Sequence, residues 1–254
     1  MKLRILGCGT STGVPRIGND WGACDPAEPR NRRSRASILI ESDTTRILVD
    51  TGPDMREQLL AANVSDIDAV IWTHDHADHS HGLDDLRQLY QVRGRPVICY
   101  ARPWTLSSLA ARFAYAFEGH GGYPASVEGR AMADKFKIGD IEICVVDQPH
   151  GAITSAGLSF HHDQKNIVYS TDFNVFTPEI EQAFIRPDVW VVDALRERPH
   201  PSHANLPSTL AWIARVRPGL AVLTHMDQSM DYATLAATLP AGVIAGYDGM
   251  EITV

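Results

Sequence analysis

No apolar run in the 254 residues approaches the roughly 18 needed for a membrane-spanning helix, and the opening Met-Lys-Leu-Arg-Ile-Leu-Gly lacks the longer apolar stretch of a secretion signal. A soluble, cytoplasmic protein without a membrane partner is therefore expected. Cysteine is scarce. Cys8, Cys24, Cys99 and Cys144 lie far apart and form no C-x-x-C pair, which argues against a disulfide scaffold and for reduced thiols. Cationic charge is also short, with 23 Lys and Arg against 31 Asp and Glu, for a net charge of -8. That balance opposes binding along an extended nucleic-acid backbone, although bound divalent cations would offset it locally and leave room for a small anionic substrate. The glycine-spaced opening Gly7-Cys-Gly-Thr-Ser-Thr-Gly13 is not followed by Gly-Lys-Ser/Thr, so it does not read as a nucleoside-triphosphate loop. Fixed-period repeats and low-complexity linkers are missing as well.

What is present is enough for a large core: 44% of the residues are hydrophobic and 21% charged, which suits one domain spanning 1–254. Short β-branched or alternating apolar runs predict strands at 3–6, 38–40, 47–49, 70–72, 97–99, 141–146, 158–161, 167–169, 189–192, 222–224 and 252–254. Helices are predicted at 53–62, 83–91, 103–117, 178–184, 207–215 and 231–239, with Pro53, Pro178 and Pro207 suited to first turns. Asp163-Gln-Lys-Asn166 reads as a hairpin connection. The result is a mixed α/β domain of undetermined topology.

The densest chemistry lies in Trp72-Thr-His74-Asp-His76-Ala-Asp78-His79, which follows an apolar strand and places four ligand-type side chains on one short turn. Neutral imidazoles and carboxylates suit zinc, and a catalytic ion keeps one position open for water or substrate. One turn cannot complete two such sites. His150, Asp172 and His225 each follow an apolar run and are the candidates to be gathered at the same sheet edge. Any of the three alone would more readily be an ordinary polar residue; their combination with the turn points to a metal centre.

These motifs resemble those of the metallo-β-lactamase superfamily, from Gly7 through Tyr247-Asp-Gly-Met-Glu251, over nearly the whole chain. The resemblance implies an αββα sandwich and two divalent metal ions, zinc or manganese. His74, His76 and His150 would bind the first, Asp78, His79 and His225 the second, and Asp172 would bridge them. Two metals roughly 3.5–4 Å apart lower the pKa of a shared water and neutralise charge developing on substrate oxygens, so Asp78 and Asp172 count as catalytic as well as metal-binding. Asp50 and Asp248 match family acids that would orient ligands by hydrogen bonds, with turn or capping roles as the alternative.

The segment Asp193-Ala-Leu-Arg-Glu-Arg-Pro-His200-Pro-Ser-His203 resembles the phosphodiesterase branch, which includes the cyclic phosphodiesterase of the carbon–phosphorus lyase pathway and, more distantly, tRNase Z. There the histidine matching His203 protonates the leaving oxygen, a task suited to an imidazole near neutrality; a histidine at a helix start is the alternative. Asp193 is a candidate to orient it. His200 reads as surface, and His81, His120, His161 and His162 as loop, strand-surface or ligand-supporting positions. The arginines from Arg30 to Arg35 could reach a substrate phosphate or form a solvated basic face. Phe113, Tyr115, Phe117 and Tyr123 could form a lid or pack in the core.

The match has one gap. Where the resembling phosphodiesterase has a cysteine-rich structural zinc site, this sequence keeps only Cys24, and Met226-Asp-Gln-Ser-Met230 supplies no histidine, so no third zinc is expected. A binuclear hydrolase acting on a small or cyclic phosphodiester is the expected function. An RNA-processing nuclease of tRNase Z type or a non-catalytic metal-dependent sensor are the alternatives, and a homodimer is left open. β-Lactam and thioester chemistry share the fold, which therefore does not choose among them.

Overall fold

The computed structural model describes residues 1–254. Fourteen strands form two seven-stranded sheets. The first contains β1 (Lys2–Gly7), β2 (Ser37–Glu41), β3 (Arg46–Val49), β4 (Ala69–Ile71), β5 (Val97–Ala101) and β6 (Val127–Ala131), with β14 (Glu251–Thr253) on the edge beside β1. The second runs from β7 (Lys135–Ile138) through β8 (Ile141–His150), β9 (Ile153–His162), β10 (Lys165–Ser170), β11 (Val189–Asp193) and β12 (Leu220–Thr224) to β13 (Val243–Ala245). Each sheet is half antiparallel and half parallel. Strands β3 to β6 are parallel neighbours in one, and β10 to β13 in the other.

Period-two alternation explains why the sheets stack. Ile38, Ile40, Ile47, Val49 and Ile71 point into the large core between the sheets, whereas Leu39, Leu48 and Val70 point outward into a second core. Helices α1 (Met55–Ala61), α3 (Leu86–Arg93), α4 (Pro103–Arg112) and α5 (Ala114–Glu118) contribute to that outer core, and one short turn, α2 (Ala77–Ser80), precedes α3. Helices α6 (Pro178–Ala183), α7 (Leu206–Val216) and α8 (Tyr232–Thr238) add Ile180, Ile213 and Leu235 to the larger core. The architecture is the expected αββα sandwich.

All six predicted helices form, with local adjustments. Asn205 and Asp231 cap α7 and α8 by accepting from Ser208 N–H at 3.0 Å and Thr234 N–H at 2.9 Å. Pro53 lies outside α1, whose cap position is Asp54; the Asp54 carboxylate instead accepts the backbone N–H of Arg35 at 2.8 Å. The single helix expected over 103–117 breaks at Phe113, where φ of -121° leaves the helical region. The 163–166 connection is a tight hairpin with positive φ at Asp163 and Gln164.

Candidate metal centre

In parallel α/β sheets, ligand groups collect just beyond the carboxyl ends of strands. Here Asp50 follows β3, the His74–His79 turn follows β4, Asp172 follows β10, Asp193 ends β11 and His225 follows β12. His150 ends β8 and reaches the same edge. The turn lies close against the 50–52 segment: Thr51 N–H donates to the His79 carbonyl at 2.8 Å, and Gly82 N–H to the Thr51 carbonyl at 2.7 Å. Gly52 makes this approach possible, since a Cβ there would stand 2.2 Å from the Asp78 carbonyl oxygen.

All seven candidate ligands converge. Ligand atoms of His74, His76, His150 and Asp172 lie within 4.8 Å of one another, and so do those of Asp78, His79 and His225. Asp172 faces both groups: Oδ2 is 3.6 Å from Nε2 of His74 and of His150, while Oδ1 is 3.2 Å from His79 Nε2 and 3.4 Å from His225 Nε2. One carboxylate oxygen thus serves each group, the geometry a bridging ligand needs. The donor set also fits a cation chemically. Nε2 of His74 and of His79 are buried and lack any hydrogen-bond partner, an arrangement that leaves two ring nitrogens to be satisfied.

Hydrogen bonds on the far side of the rings fix which nitrogen faces the cluster. His79 Nδ1 is 2.7 Å from Asp50, and His150 Nδ1 is 2.7 Å from the Ser202 carbonyl. His74 Nδ1 is 3.0 Å from Thr73 Oγ1, whose own proton goes to Asp50. In each case Nδ1–H donates outward and Nε2 faces the cluster, as a lone pair on His74 and His150 and, on His79, as the position where a cation would replace a proton, the usual support for a metal-binding histidine. Burial, reinforced by His79, holds His74 well below its ordinary pKa, and burial also depresses His150. For His79, burial opposes the charge, but Asp172, Asp78 and Asp50 outweigh it and raise the imidazole well above its usual range. Burial would raise Asp172, yet His225 and His79 hold it well below. So many carboxylates and imidazoles sharing one buried space call for positive charge.

His203 stands at the rim. Its Nδ1 is 3.1 Å from the fully buried Asp193 carboxylate, and its Nε2 lies 3.8 Å from Asp172 Oδ2. The ring packs edge-on against His150 at 4.7 Å and stacks on His225 at 4.8 Å. Burial works against its charged form, but the Asp193 hydrogen bond and the Asp172 charge lift its pKa to about 9. Asp172, His203 and His225 also place ligand atoms within 4.8 Å of one another, so ligand geometry alone would allow His203 to bind a cation. Its Nδ1 anchor on Asp193 leaves Nε2 facing the cluster for either role.

Several residues singled out in the sequence lie elsewhere. Asp248 touches no candidate ligand; it accepts from Cys8 N–H at 3.0 Å and from Ser34 N–H and Oγ–H at 2.7 and 2.6 Å, holding the opening loop. The arginine run lies outside the cluster, with Arg32 exposed over Trp21 as part of a solvated face. Arg30 pairs with Glu28 and lies over Tyr232, Arg35 pairs with Asp54, and Arg33 is buried. The Arg33 guanidinium donates to the carbonyls of Asp227 and Met230 at 3.2 and 2.6 Å and lies 3.9 Å from Cys24 Sγ. Phe117 packs on Trp72 and Phe113 against His81, whereas Tyr115 and Tyr123 are exposed. His200 is half-buried beside His203. His120 sits in a loop, and His161 and His162 on β9. Sequence reasoning missed Thr73 and the clamp on Asp75, which accepts from Ser108 Oγ at 2.5 Å and pairs with Arg112 of α4. Thr73 directly precedes His74, the one local signal available.

Residues 45–226 match the beta-lactamase superfamily domain. The chain is 31% identical over 258 residues to an octanoyltransferase of Porphyromonas gingivalis, covering 99% of this chain and 51% of that protein. A ribonuclease Z of Methanopyrus kandleri is 30% identical over 133 residues, covering 50% of this chain and 44% of that protein. The chain therefore spans about half the length of the curated relatives it matches. Among solved structures, a diphosphatase from the PhnP family superposes with a TM-score of 0.91 at 32% identity, covering 99% of this chain and 96% of that one. The matched domain, the paired sheets and the strand-end cluster together show that the chain belongs to the metallo-β-lactamase superfamily, related within it to the PhnP family and to ribonuclease Z.

Proposed function

We propose that the chain is one hydrolytic domain over residues 1–254 that uses two divalent cations, zinc or manganese, to cleave a small or cyclic phosphodiester. His74, His76 and His150 would hold the first cation, Asp78, His79 and His225 the second, with Asp172 between them. Bound there, the pair supplies Lewis acidity and an activated water. The observation that carries the reading is His203, anchored by buried Asp193 with Nε2 turned toward the cluster. An imidazole so held can deliver a proton to a departing oxygen, which an alkoxide requires and a good leaving group does not. Its anchor keeps the tautomer and direction fixed.

The likeness to a PhnP-family diphosphatase supports a second linkage, a diphosphate esterified at both ends, in which each phosphorus again carries one non-bridging negative charge. The likeness to ribonuclease Z supports a nuclease reading over half the chain. One array separates them: a five-membered cyclic phosphate, a nitrophenyl diester, a dinucleoside diphosphate, a precursor tRNA, a phosphomonoester and a cephalosporin, assayed with zinc- and manganese-loaded protein. The highest kcat/KM is expected on a small diester. A largest value for the cephalosporin, or no diester above the metal-only control, would overturn the proposal, and tight binding without turnover would identify a sensor.

A further inference from the structure

Three loops meet at the cluster, and one side chain outside it joins all three. Asn174 lies two residues beyond Asp172. Its backbone N–H donates to the Pro149 carbonyl at 3.0 Å, beside His150. Its Oδ1 lies 3.4 Å from the Gly151 N–H, on the other side of His150. Its Nδ2–H donates at 2.7 Å to the carbonyl of Pro201, two residues before His203. The next carbonyl, of Ser202, accepts from His150 Nδ1 at 2.7 Å. Two consecutive carbonyls of the loop bearing His203 are thus held from the His150 and Asp172 loops, one through a candidate ligand and one through Asn174. Gly151 lets the loops come this close, since a Cβ there would be 3.1 Å from Ser202 Cβ.

We propose that Asn174 is a positioning residue that sets the placement of His203 over the metal centre by holding the Pro201 carbonyl. This rests on the proposed role of His203 as the proton donor. Asp193 fixes the direction of the imidazole from below, but the backbone carrying it is a non-helical segment between β11 and α7. Its conformation depends on being tied at both ends. Arg196 pairs with Asn205 at the base of the loop, and Asn174 with Ser202's neighbour at its tip. A displacement of about 1 Å at a proton donor is enough to cost on the order of 10²-fold in rate. The Asn174 side-chain donor hydrogen-bonds the His203 loop alone, whereas its Oδ1 and backbone N–H flank His150, so unchanged cation content is what distinguishes an effect through His203 from one through His150.

The test compares Asn174→Asp, Asn174→Ala and Asn174→Gln with His203→Ala and the Asn174→Asp/His203→Ala double variant. Asn174→Asp keeps the acceptor toward Gly151 and removes the donor toward Pro201. It is expected to lower kcat on an alkyl diester by about 10-fold or more, to change nitrophenyl-diester turnover by less than about 3-fold, to leave KM and the content of two cations unchanged, and to add nothing to His203→Ala. Asn174→Gln, which retains the donor, should recover part of the loss. In hydrogen exchange of the metal-loaded protein, amides of 199–205 should exchange faster in Asn174→Asp and Asn174→Ala, with β9 and β10 unaffected. Equal losses on both leaving groups, additivity with His203→Ala, or faster exchange spread through β9 and β10 would overturn the inference. If the wild type hydrolyses no diester, the proposed function fails, and hydrogen exchange alone then decides: unchanged exchange over 199–205 refutes the positioning role, and local acceleration supports it.

Discussion

Asp50, Asp172 and His225 share an uncommon backbone, with φ of 64°, 53° and 58°. Each stands one or two residues past a strand whose chain must turn sharply to aim a side chain into the cluster. Left-handed backbone costs a non-glycine residue about 1–3 kcal/mol, less for Asp, Asn and His, which populate it most among non-glycine residues. Asp50→Asn therefore keeps the backbone but replaces a charged acceptor for His79 by a neutral one. Cation affinity is expected to fall 10–100-fold, on the scale known for such supporting groups. Competition against a chromogenic chelator measures it, and unchanged affinity would show that packing alone holds His79. Asp248 gives a second prediction. Burial pushes its carboxyl up to about 6, against the lowering by Ser34 and Cys8, while an unfolded chain would titrate it at its ordinary 3.8. The folded protein binds that proton more tightly. Its contribution is full below 3.8, is lost as pH rises through about 6, and amounts to at most about 3 kcal/mol. Denaturation of wild type and Asp248→Asn from pH 3.5 to 7.5 should show the difference between them varying only over that window; a constant difference would refute it. The seven candidate ligands were legible in the sequence because histidine and aspartate recur after apolar runs in the order that the family resemblance implies. Thr73, Asn174 and the Ser202 carbonyl were not, since each acts through a backbone group or a partner distant in sequence.

At the level of elements, the strands missed in the sequence are β6, β7 and β13, and all three lie on sheet edges. Val127–Ala131 buries only its first residue and Lys135–Ile138 only its last, so neither carries the apolar alternation by which a strand is recognised. The central parallel strands were legible for the opposite reason: Val189–Asp193 is buried throughout, as a strand covered on both faces must be. The break between α4 and α5 was hidden because Phe113 has no helix-stopping chemistry; it leaves the helix to pack against His81 and Tyr115. Contact between elements also makes Gly52 sensitive. Gly52→Ala forces the 50–52 segment away from α2, and a loss of about 1–3 kcal/mol in stability is expected, as in overpacked sites. Because Asp78 and His79 lie on α2, the second cation should weaken more than the first. Calorimetric metal titration would show two unequal steps, and an equal loss at both sites would argue against this coupling.

Across the whole molecule, the cluster joins the two sheets: the His74–His79 turn belongs to the first, and His150, Asp172 and His225 to the second. Cations bound there would cross-brace the sandwich. Binding to the folded state alone contributes about 2.7 kcal/mol per site at a hundredfold excess over Kd. At about 2–4 °C per kcal/mol for a chain of this size, chelation should lower Tm by on the order of 5–10 °C per site. A thermal scan with and without chelator checks this, and an unchanged Tm would mean that the apolar core alone sets the melting point. The distance along the chain between the two contributing halves bears on how the protein comes to hold its metal. Asp78 and His225 are 147 residues apart in sequence yet face each other at 3.4 Å. The turn after β4 can meet a cation early, but only with an incomplete shell, and the remaining donors arrive once the second sheet has closed over the first. Capture of the full complement is therefore expected late, after the two sheets have met. Added cation should then slow unfolding markedly while leaving the refolding rate nearly unchanged, the signature of an interaction absent from the transition state.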